Sequence, residues 1–519
     1  MMPESLIPIV IGVTGHRDLR AEELDTIREL VAGQLGQLKQ DYPHSSFWML
    51  NSLAAGADLL CAQIALEQGI PLLCPLPMNA EEYAADFQGR DREEFYHLLA
   101  QSQSFLCPHQ EPEQPGRNYL YRQASLYVAS HCHILLALWD GDEEKKDGCG
   151  TAAAVHYARN GWKDPDSDAP RVSVLQIQVN RAGSDTRLSL CARWLDEGLN
   201  AALLTQTDRF NAAAKTVDIP SGCLETPPLQ RLDCLYKAAD RLALSCQKKF
   251  NRGLLTGAVC CVTLVLFYLM YDELDSRGFL ILYGAVMAVY GAVYALVRKL
   301  RLQEGYLQYR LLAETARVQS WLSALGVRKN AAAWFTWTQK QDALWIQFAI
   351  SAVLTGPEIP RSCSDEEACS AWIQDQCQYH RRALEKTRRK HRMNQRLCGA
   401  ALFCMISAFL LTFILEYGFP EFMTGRMFLN LTPQSWMKIV WGVLSAVTLF
   451  AADYFGKLSL DRKMIDHQKM AELYHQVDKC FEEFPEKRSA LFRRLAVEEV
   501  IETGNWYSYC QDNSLSFDL

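Results

Sequence analysis

Three short loops in the first 160 residues carry the residue types that hold phosphate and ribose. The first, Thr14-Gly15-His16-Arg17, ends the apolar run Pro8–Val13. The second, Ser52-Leu53-Ala54-Ala55-Gly56, ends the run Ser46–Asn51. The third, Gly148-Cys149-Gly150-Thr151, stands just ahead of a helical stretch. Glycine lets a backbone come close to a ligand, and the free N–H groups at a helix start attract anions. Arg17 adds a charge-assisted donor, and Asp58 and Asp140 add acceptors for ribose hydroxyls. The candidate ligand-binding set is Gly15, His16, Arg17, Ser52, Gly56, Asp58, Asp140, Gly148, Gly150 and Thr151. Each also has a plainer use: Asp58 as partner of a helix dipole, His16 as a turn residue, Gly148 and Gly150 as places where the chain bends. Three such loops gathered on one sheet edge weigh more than any of them alone.

The elements that would gather them alternate along the chain. Strand-like runs at Pro8–Val13, Ser46–Asn51, Pro71–Leu76, Ser104–Cys107, His133–Trp139 and Arg171–Val179 are separated by helical patterns. The clearest of these are Ala21–Leu38, Ala57–Glu67, Tyr119–Ser130 and Thr151–Arg159. Continuous apolar strands in a βαβα rhythm imply a parallel sheet covered on both faces, an α/β Rossmann-like head. Ligands in such sheets bind at the carboxyl ends of the strands, where the glycine loops fall.

The stretches IGVTGHRD, SLAAGADLLCAQIA and HILLALWDG followed by DGCGTAAAVHYA resemble the SLOG superfamily. That group includes the lonely-guy phosphoribohydrolases and the DNA-processing protein A Rossmann domain. The second stretch is similar to the GLARGID-type loop of the latter. The third is similar to the GGxGTxxE loop of the former, which cradles a nucleotide phosphate. The resemblance covers about the first 180 residues. One departure is chemical: the residue three after Thr151 is Ala154, where the hydrolase motif has its catalytic Glu. A methyl group does no acid–base work, so the resemblance implies binding rather than cleavage. It also implies a sensor of nucleotide-derived signals, among them cyclic ADP-ribose-like molecules in bacterial antiphage systems.

Behind the head lie membrane-length apolar runs. Leu254–Tyr271, Phe279–Val297 and Leu397–Leu415 each extend eighteen or nineteen residues without a charge, enough to cross about 30 Å of hydrocarbon as a helix. Trp436–Phe455 is weaker: its charge-free core is Ile439–Ala452, with Lys438 and Asp453 near the ends to reach the headgroups. Basic residues flank the outer ends of both hairpins: Lys248, Lys249 and Arg252; Arg298, Lys299 and Arg301; Arg388–Lys390; Lys457, Arg462 and Lys463. The turns Asp272–Gly278 and Glu416–Ser435 are poor in them. The positive-inside rule then puts both turns outside and the head, central segment and both termini in the cytoplasm. The expected location is the plasma (bacterial inner) membrane, multi-pass.

The membrane half reads as a tandem repeat. Tyr236-Lys237-Ala238-Ala239-Asp240 before the first span matches Tyr379-His380-Arg381-Arg382-Ala383 before the third. Tyr309–Glu314 after the second matches His467–Glu472 after the fourth. The stretch Trp372–His380 resembles the entry helix of SLATT domains, two-span modules thought to form pores. The expected division is a head at 1–185, a connector at 186–230, a first two-span unit at 231–355, a linker at 356–368, a second unit at 369–485, and a C-terminal tail at 486–519 that frays from Thr503 onward. In the second span Gly284, Ala288, Gly291 and Ala295 share one face, a candidate helix-packing stripe. Tyr283, Tyr290 and Tyr294 share another, a candidate pore lining whose plainer use is aromatic packing. No span has a central charge, so a proton relay is not indicated.

A net charge of −7 and a pI near 5.9 offer no electrostatic case for nucleic acid. Mean hydropathy is −0.10, so the spans are diluted by a large polar portion. The 18 cysteines form no CxxC pair, which fits reduced thiols rather than disulfides or zinc, and no cofactor is expected. The start, MMPESLIPIV, lacks the basic and long apolar regions of a signal peptide. The sequence thus reads as a membrane effector that is not an enzyme. Its head binds a nucleotide-derived ligand, its partners are that ligand, lipid and further copies of itself, and ligand binding gates or assembles a pore. The rival readings are a membrane-tethered nucleotide hydrolase or phosphoribohydrolase, and a nucleotide-binding scaffold.

Overall fold

The computed structural model of the chain describes residues 5–108, 116–143, 148–164, 167–185, 187–196, 201–217, 228–274, 276–327, 329–357, 359–425, 431–457 and 460–512. Nine strands are described: β1 Ile9–Gly15, β2 Phe47–Leu50, β3 Leu72–Leu76, β4 Gln103–Leu106, β5 Ile134–Trp139, β6 Trp162–Asp164, β7 Ser167–Ala169, β8 Ser173–Gln178 and β9 Ala192–Trp194. The early helices are α1 Leu24–Asp41, α2 Ala57–Glu67, α3 Ala80–Ala84, α4 Arg90–Ala100, α5 Arg117–His131, α6 Thr151–Asn160 and α7 Ala201–Ala214. Then follow α8 Pro228–Leu274, α9 Arg277–Lys299, α10 Leu302–Ala324, α11 Trp337–Leu354, α12 Asp365–Ala368, α13 Asp375–Gly418, α14 Pro420–Thr424, α15 Pro433–Lys457, α16 Leu460–Glu483 and α17 Arg488–Asp512.

The chain forms two compact units. The first joins residues 1–241, 311–363 and 496–505; the second joins 242–310, 364–495 and 506–519.

The first unit is built on a seven-stranded sheet of order β4-β3-β2-β1-β5-β8-β9. The strands pair in parallel except β9, which runs antiparallel to β8 at the edge. The head is therefore the Rossmann-like α/β sheet expected from the continuous apolar runs; β1, β5 and β8 are buried almost throughout. The chain winds from β1 outward to β4, then crosses back to β5, so β1 and β5 form the switch point of the sheet. Both faces of β1 approach a helix closely. A Cβ on Gly12 would sit 2.9 Å from Val128 on α5 and 2.8 Å from Cys132 Sγ just past its end, and one on Gly15 would strike the Ala57 methyl on α2. Small residues on β1 thus set how near the two helices come.

The sheet's supports include later segments. Asn211 of α7 accepts from the Ile7 N–H at 3.1 Å and donates to the Ile7 carbonyl at 2.8 Å, which holds the entry to β1. Asp208 accepts from Ser45 Oγ at 2.8 Å and from the His44 N–H at 2.9 Å, ahead of β2. On α11, fully buried Trp345 meets Phe210 of α7, and Phe348 lies 5.5 Å from the His133 ring at the start of β5. Arg317 on α10 reaches Glu499 on α17 at 3.1 Å.

Among the described residues four helical stretches are long and apolar enough to cross a membrane: Pro228–Leu274, Arg277–Ala324, Asp365–Gly418 and Pro433–Tyr454, with mean hydropathies of 2.2, 2.1, 2.4 and 1.5 in their most apolar parts. The fourth is the weakest, as its shorter charge-free core implies. These helices point to a membrane protein. Within the second unit, α8 and α9 meet where a Cβ on Gly253 would lie 2.7 Å from Val297, and one on Gly257 would lie 3.6 Å from the Tyr290 ring. Gly442 of α15 makes room for Leu269 of α8, and Lys438 pairs with Glu273 at 3.0 Å. Phe409 of α13 meets Trp441 of α15 edge-on.

Two local readings change. The stretch from Thr503 onward, expected to fray, continues α17 to Asp512. A Cβ at Gly504 would run into the Gln339 amide, so this glycine serves close packing rather than chain termination. The end of that tail, 513–519, and parts of the turns 272–278 and 416–435 lie outside the described residues. The acidic run Asp365–Glu367 opens a helix: Ser364 Oγ accepts from the Glu367 N–H at 3.1 Å, and Glu367 accepts from the Ser364 N–H at 2.9 Å.

Trp345→Ala should destabilise the first unit by about 3–5 kcal/mol, because it empties a buried site bordered by α7. Denaturant unfolding of the full-length protein, followed by hydrogen exchange in β1 and β5, checks this. Unchanged protection there would show that α11 does not support the sheet.

Candidate functional site

A cavity of about 440 Å³ opens at the carboxyl ends of β1 and β5. Its walls come from the loops after β1, β2, β3, β5 and β8, the start of α6, and one face of α5. Eight of the ten sequence candidates line it: Gly15, His16, Arg17, Ser52, Asp58, Asp140, Gly150 and Thr151. Gly56 and Gly148 are absent from the lining. Gly56 has a backbone reason to be glycine: its φ is +77°, and a Cβ would strike the Arg17 carbonyl. It shapes the cavity from behind by letting the β2 loop close on the β1 loop.

The β1 loop is held on two sides. The His16 N–H donates to the Leu138 carbonyl at 3.1 Å, and the His16 carbonyl accepts from the Ala57 N–H at 3.1 Å. The His16 ring reaches the β5 loop, with Nε2 2.9 Å from Asp140 Oδ1 and 3.2 Å from the Asp140 N–H. Asp140 Oδ1 also accepts from the Asp142 N–H at 3.1 Å, and its carbonyl accepts from Gln178 at 2.9 Å. On the β8 side, Arg181 pairs through Nε with both Asp18 oxygens at 3.1 Å.

Arg17 lies over the Tyr121 ring, 5.4 Å from its centroid. Among the described residues it has no carboxylate within ion-pair distance, so its charge is available to a ligand anion. Thr151 opens α6 with Gly150 at its N-cap, and space beside Gly150 is open. A cation and a helix start therefore border one cavity, a combination that favours a phosphate or carboxylate group.

Asp58 is 6% exposed. Its Oδ2 accepts from the Ala54 N–H at 3.3 Å, and its carbonyl accepts from Asn51 at 2.8 Å. Burial pushes its carboxyl up to about 7, against the lowering effects of the Ala54 N–H and the Arg17 charge. Asp58 thus carries a proton for part of the time near neutrality. Ala154, 1% exposed, also lines the cavity.

Several lining residues carried no sequence signal. Tyr83 stacks edge-on with Phe87 and Phe95, and Tyr121 hydrogen-bonds Asp86. Tyr83 lies on α3, between β3 and β4, and Tyr121 on α5, in the crossover from β4 to β5. Asp18, Asp142 and Arg181 flank the loops already singled out, and charge at the loop margins was the available clue.

In the second unit, Gly284, Ala288, Gly291 and Ala295 form an exposed face, with nothing within 4 Å of a Cβ at either glycine. Tyr283, Tyr290 and Tyr294 are half-buried on the other side, where Tyr290 packs beside Gly257. No protein-family model, curated protein or solved structure matches the chain.

Asp58→Asn tests the buried carboxyl. A carboxyl raised from its ordinary 3.8 to about 7 on folding favours the folded chain most at low pH, and that contribution is lost as pH rises from about 4 to about 7. The Asn variant, which keeps an acceptor for Ala54, should therefore gain melting temperature relative to wild type as pH rises through this window. A difference that stays constant between pH 4 and 8 would contradict the raised value.

Proposed function

We propose that the protein is a membrane effector whose head binds a nucleotide-derived second messenger and thereby gates or assembles a transmembrane pore, in bacterial antiphage or stress signalling. The observation that carries the reading is the cavity at the β1–β5 switch point. It brings Arg17, which has no ion-pair partner among the described residues, the α6 start and the acceptors of Asp140 together in a volume suited to a nucleotide. The resemblance of the three loops to SLOG domains supports the same ligand class, and four membrane-length helices support the effector half.

Binding without turnover is the preferred chemistry, because buried Ala154 occupies the place of the hydrolase carboxylate. Asp58 and the His16–Asp140 pair favour the rival hydrolase, since both are acid–base groups in the same cavity. Incubation of the full-length protein with nucleoside monophosphates and ADP-ribose should return them unchanged. Release of free base or phosphate at a catalytic rate would promote the rival.

Gly150→Asp places a carboxylate at the α6 start, in open space. It should weaken binding of any phosphate-bearing ligand by about a hundredfold, with the fold intact. Titration calorimetry of the full-length protein with a nucleotide and cyclic-nucleotide panel tests this. Equal affinity in both proteins would remove the α6 start from the site.

The pore would be a homo-oligomer, because four spans per chain enclose little aqueous space. The exposed Gly284–Ala295 face is proposed as its contact. Gly291→Leu leaves the chain's own packing untouched, as nothing lies beside that glycine. It should block ligand-triggered dye leakage from vesicles while head binding persists. Equal leakage would reject this interface, and no leakage from either protein with ligand bound would favour the scaffold.

A further inference from the structure

The helices α13 and α16 lie side by side beyond the apolar stretches of the second unit. Cys377 Sγ contacts the Ala471 carbonyl at 3.6 Å, Arg388 reaches Gln468 at 3.4 Å, and His391 lies 3.3 Å from Asp461. Between these contacts two imidazoles meet. His380 Nδ1 on α13 and His467 Nδ1 on α16 are 3.1 Å apart, with ring centroids 5.2 Å apart and planes at 61°. The His380 ring stacks on Tyr474, which is fully buried, and Tyr379 meets His467 edge-on.

Two ring nitrogens at this distance need one proton between them. One ring donates through Nδ1–H, and the other accepts with its Nδ1 lone pair. A first added proton is tolerated, because the donor ring can carry it on Nε2 and still donate. A second is not. It places a hydrogen on each facing nitrogen and two like charges about 3 Å apart. We infer that the His380–His467 contact is a proton-sensitive latch on the α13–α16 pair, closed at neutral pH and released when both rings become charged. Nothing in this inference rests on the ligand reading of the head.

The surroundings favour release over accommodation. Burial, Lys463 on α16 and Arg310 on α10 hold the His467 ring neutral, and Asp466 alone favours its charged form. Asp466 is already engaged with Arg462 at 3.2 Å. On α13, Arg381 and Arg382 follow His380 and add positive charge. Fully protonated, the separated rings hold two added protons, whereas the closed pair holds only one. Closure is therefore favoured at neutral pH and weakens as pH falls, by up to about tenfold per pH unit once the rings charge.

Hydrogen exchange of the full-length protein in lipid nanodiscs tests this, with rates corrected for the intrinsic pH dependence. Between pH 7.5 and 5.5, protection of residues 375–385 and 462–475 should fall about tenfold relative to α1. In His380→Gln and His467→Gln separately, the fall should shrink below twofold, because one titrating ring produces no facing pair of charges. Wild-type protection that changes less than twofold would overturn the latch. So would single variants that lose protection as wild type does, which would mark general acid loosening. Should a variant fold poorly at pH 7.5, the wild-type plot of log protection against pH still decides. A slope approaching one at the acid end of that range supports a one-proton latch, and a slope near zero throughout contradicts it.

Discussion

The approach of the β1 end to the α2 start governs the head. Gly15 leaves room for the Ala57 methyl, and Gly56, at positive φ, leaves room for the Arg17 carbonyl. With those clearances the Ala57 N–H reaches the His16 carbonyl, and the His16 N–H reaches Leu138 on β5. The β1 loop is then fixed between α2 and β5, and Arg17 is presented beside Tyr121. A side chain at either glycine would displace the loop that carries both His16 and Arg17. The cavity is thus a consequence of backbone closeness at the switch point, with charge placed on it afterwards.

This explains what was legible in the chain and what was not. The strands were readable because buried parallel strands are continuous apolar runs, as in Ile134–Trp139. The glycine loops were readable because backbone proximity restricts residue type locally. What glycine does was less legible: Gly150 borders the cavity, whereas Gly56 stands behind it, and the same residue type serves both. Edge strand β9 is three residues long and leaves little pattern. The support that α7 and α11 give the sheet was also hidden, because an apolar helix face does not say which surface it covers. Asp208, Asn211 and Trp345 hold elements far earlier in the chain.

In the second unit, the apolar spans announced themselves by length, but their neighbours did not. Gly253 and Gly257, on the span that drew less notice, provide the hollow for Val297 and Tyr290. The more regular stripe, Gly284 to Ala295, faces outward. Small residues admit a close neighbour without specifying which helix it is. The His380–His467 pair was similarly invisible: each histidine sits in an ordinary amphipathic pattern, and only the pairing of α13 with α16 brings them together.

The central claim is that one ligand engages the β1, β2 and β5 loops and the α6 start at once. Hydrogen exchange of the full-length protein tests it most directly, with and without saturating ADP-ribose, adenosine monophosphate and cyclic nucleotides in turn. The account predicts that a ligand which binds will slow exchange together in residues 14–18, 52–58, 139–142 and 148–154. Saturable binding that protects other segments and leaves these unchanged, or no binding by any of these probes, would contradict it.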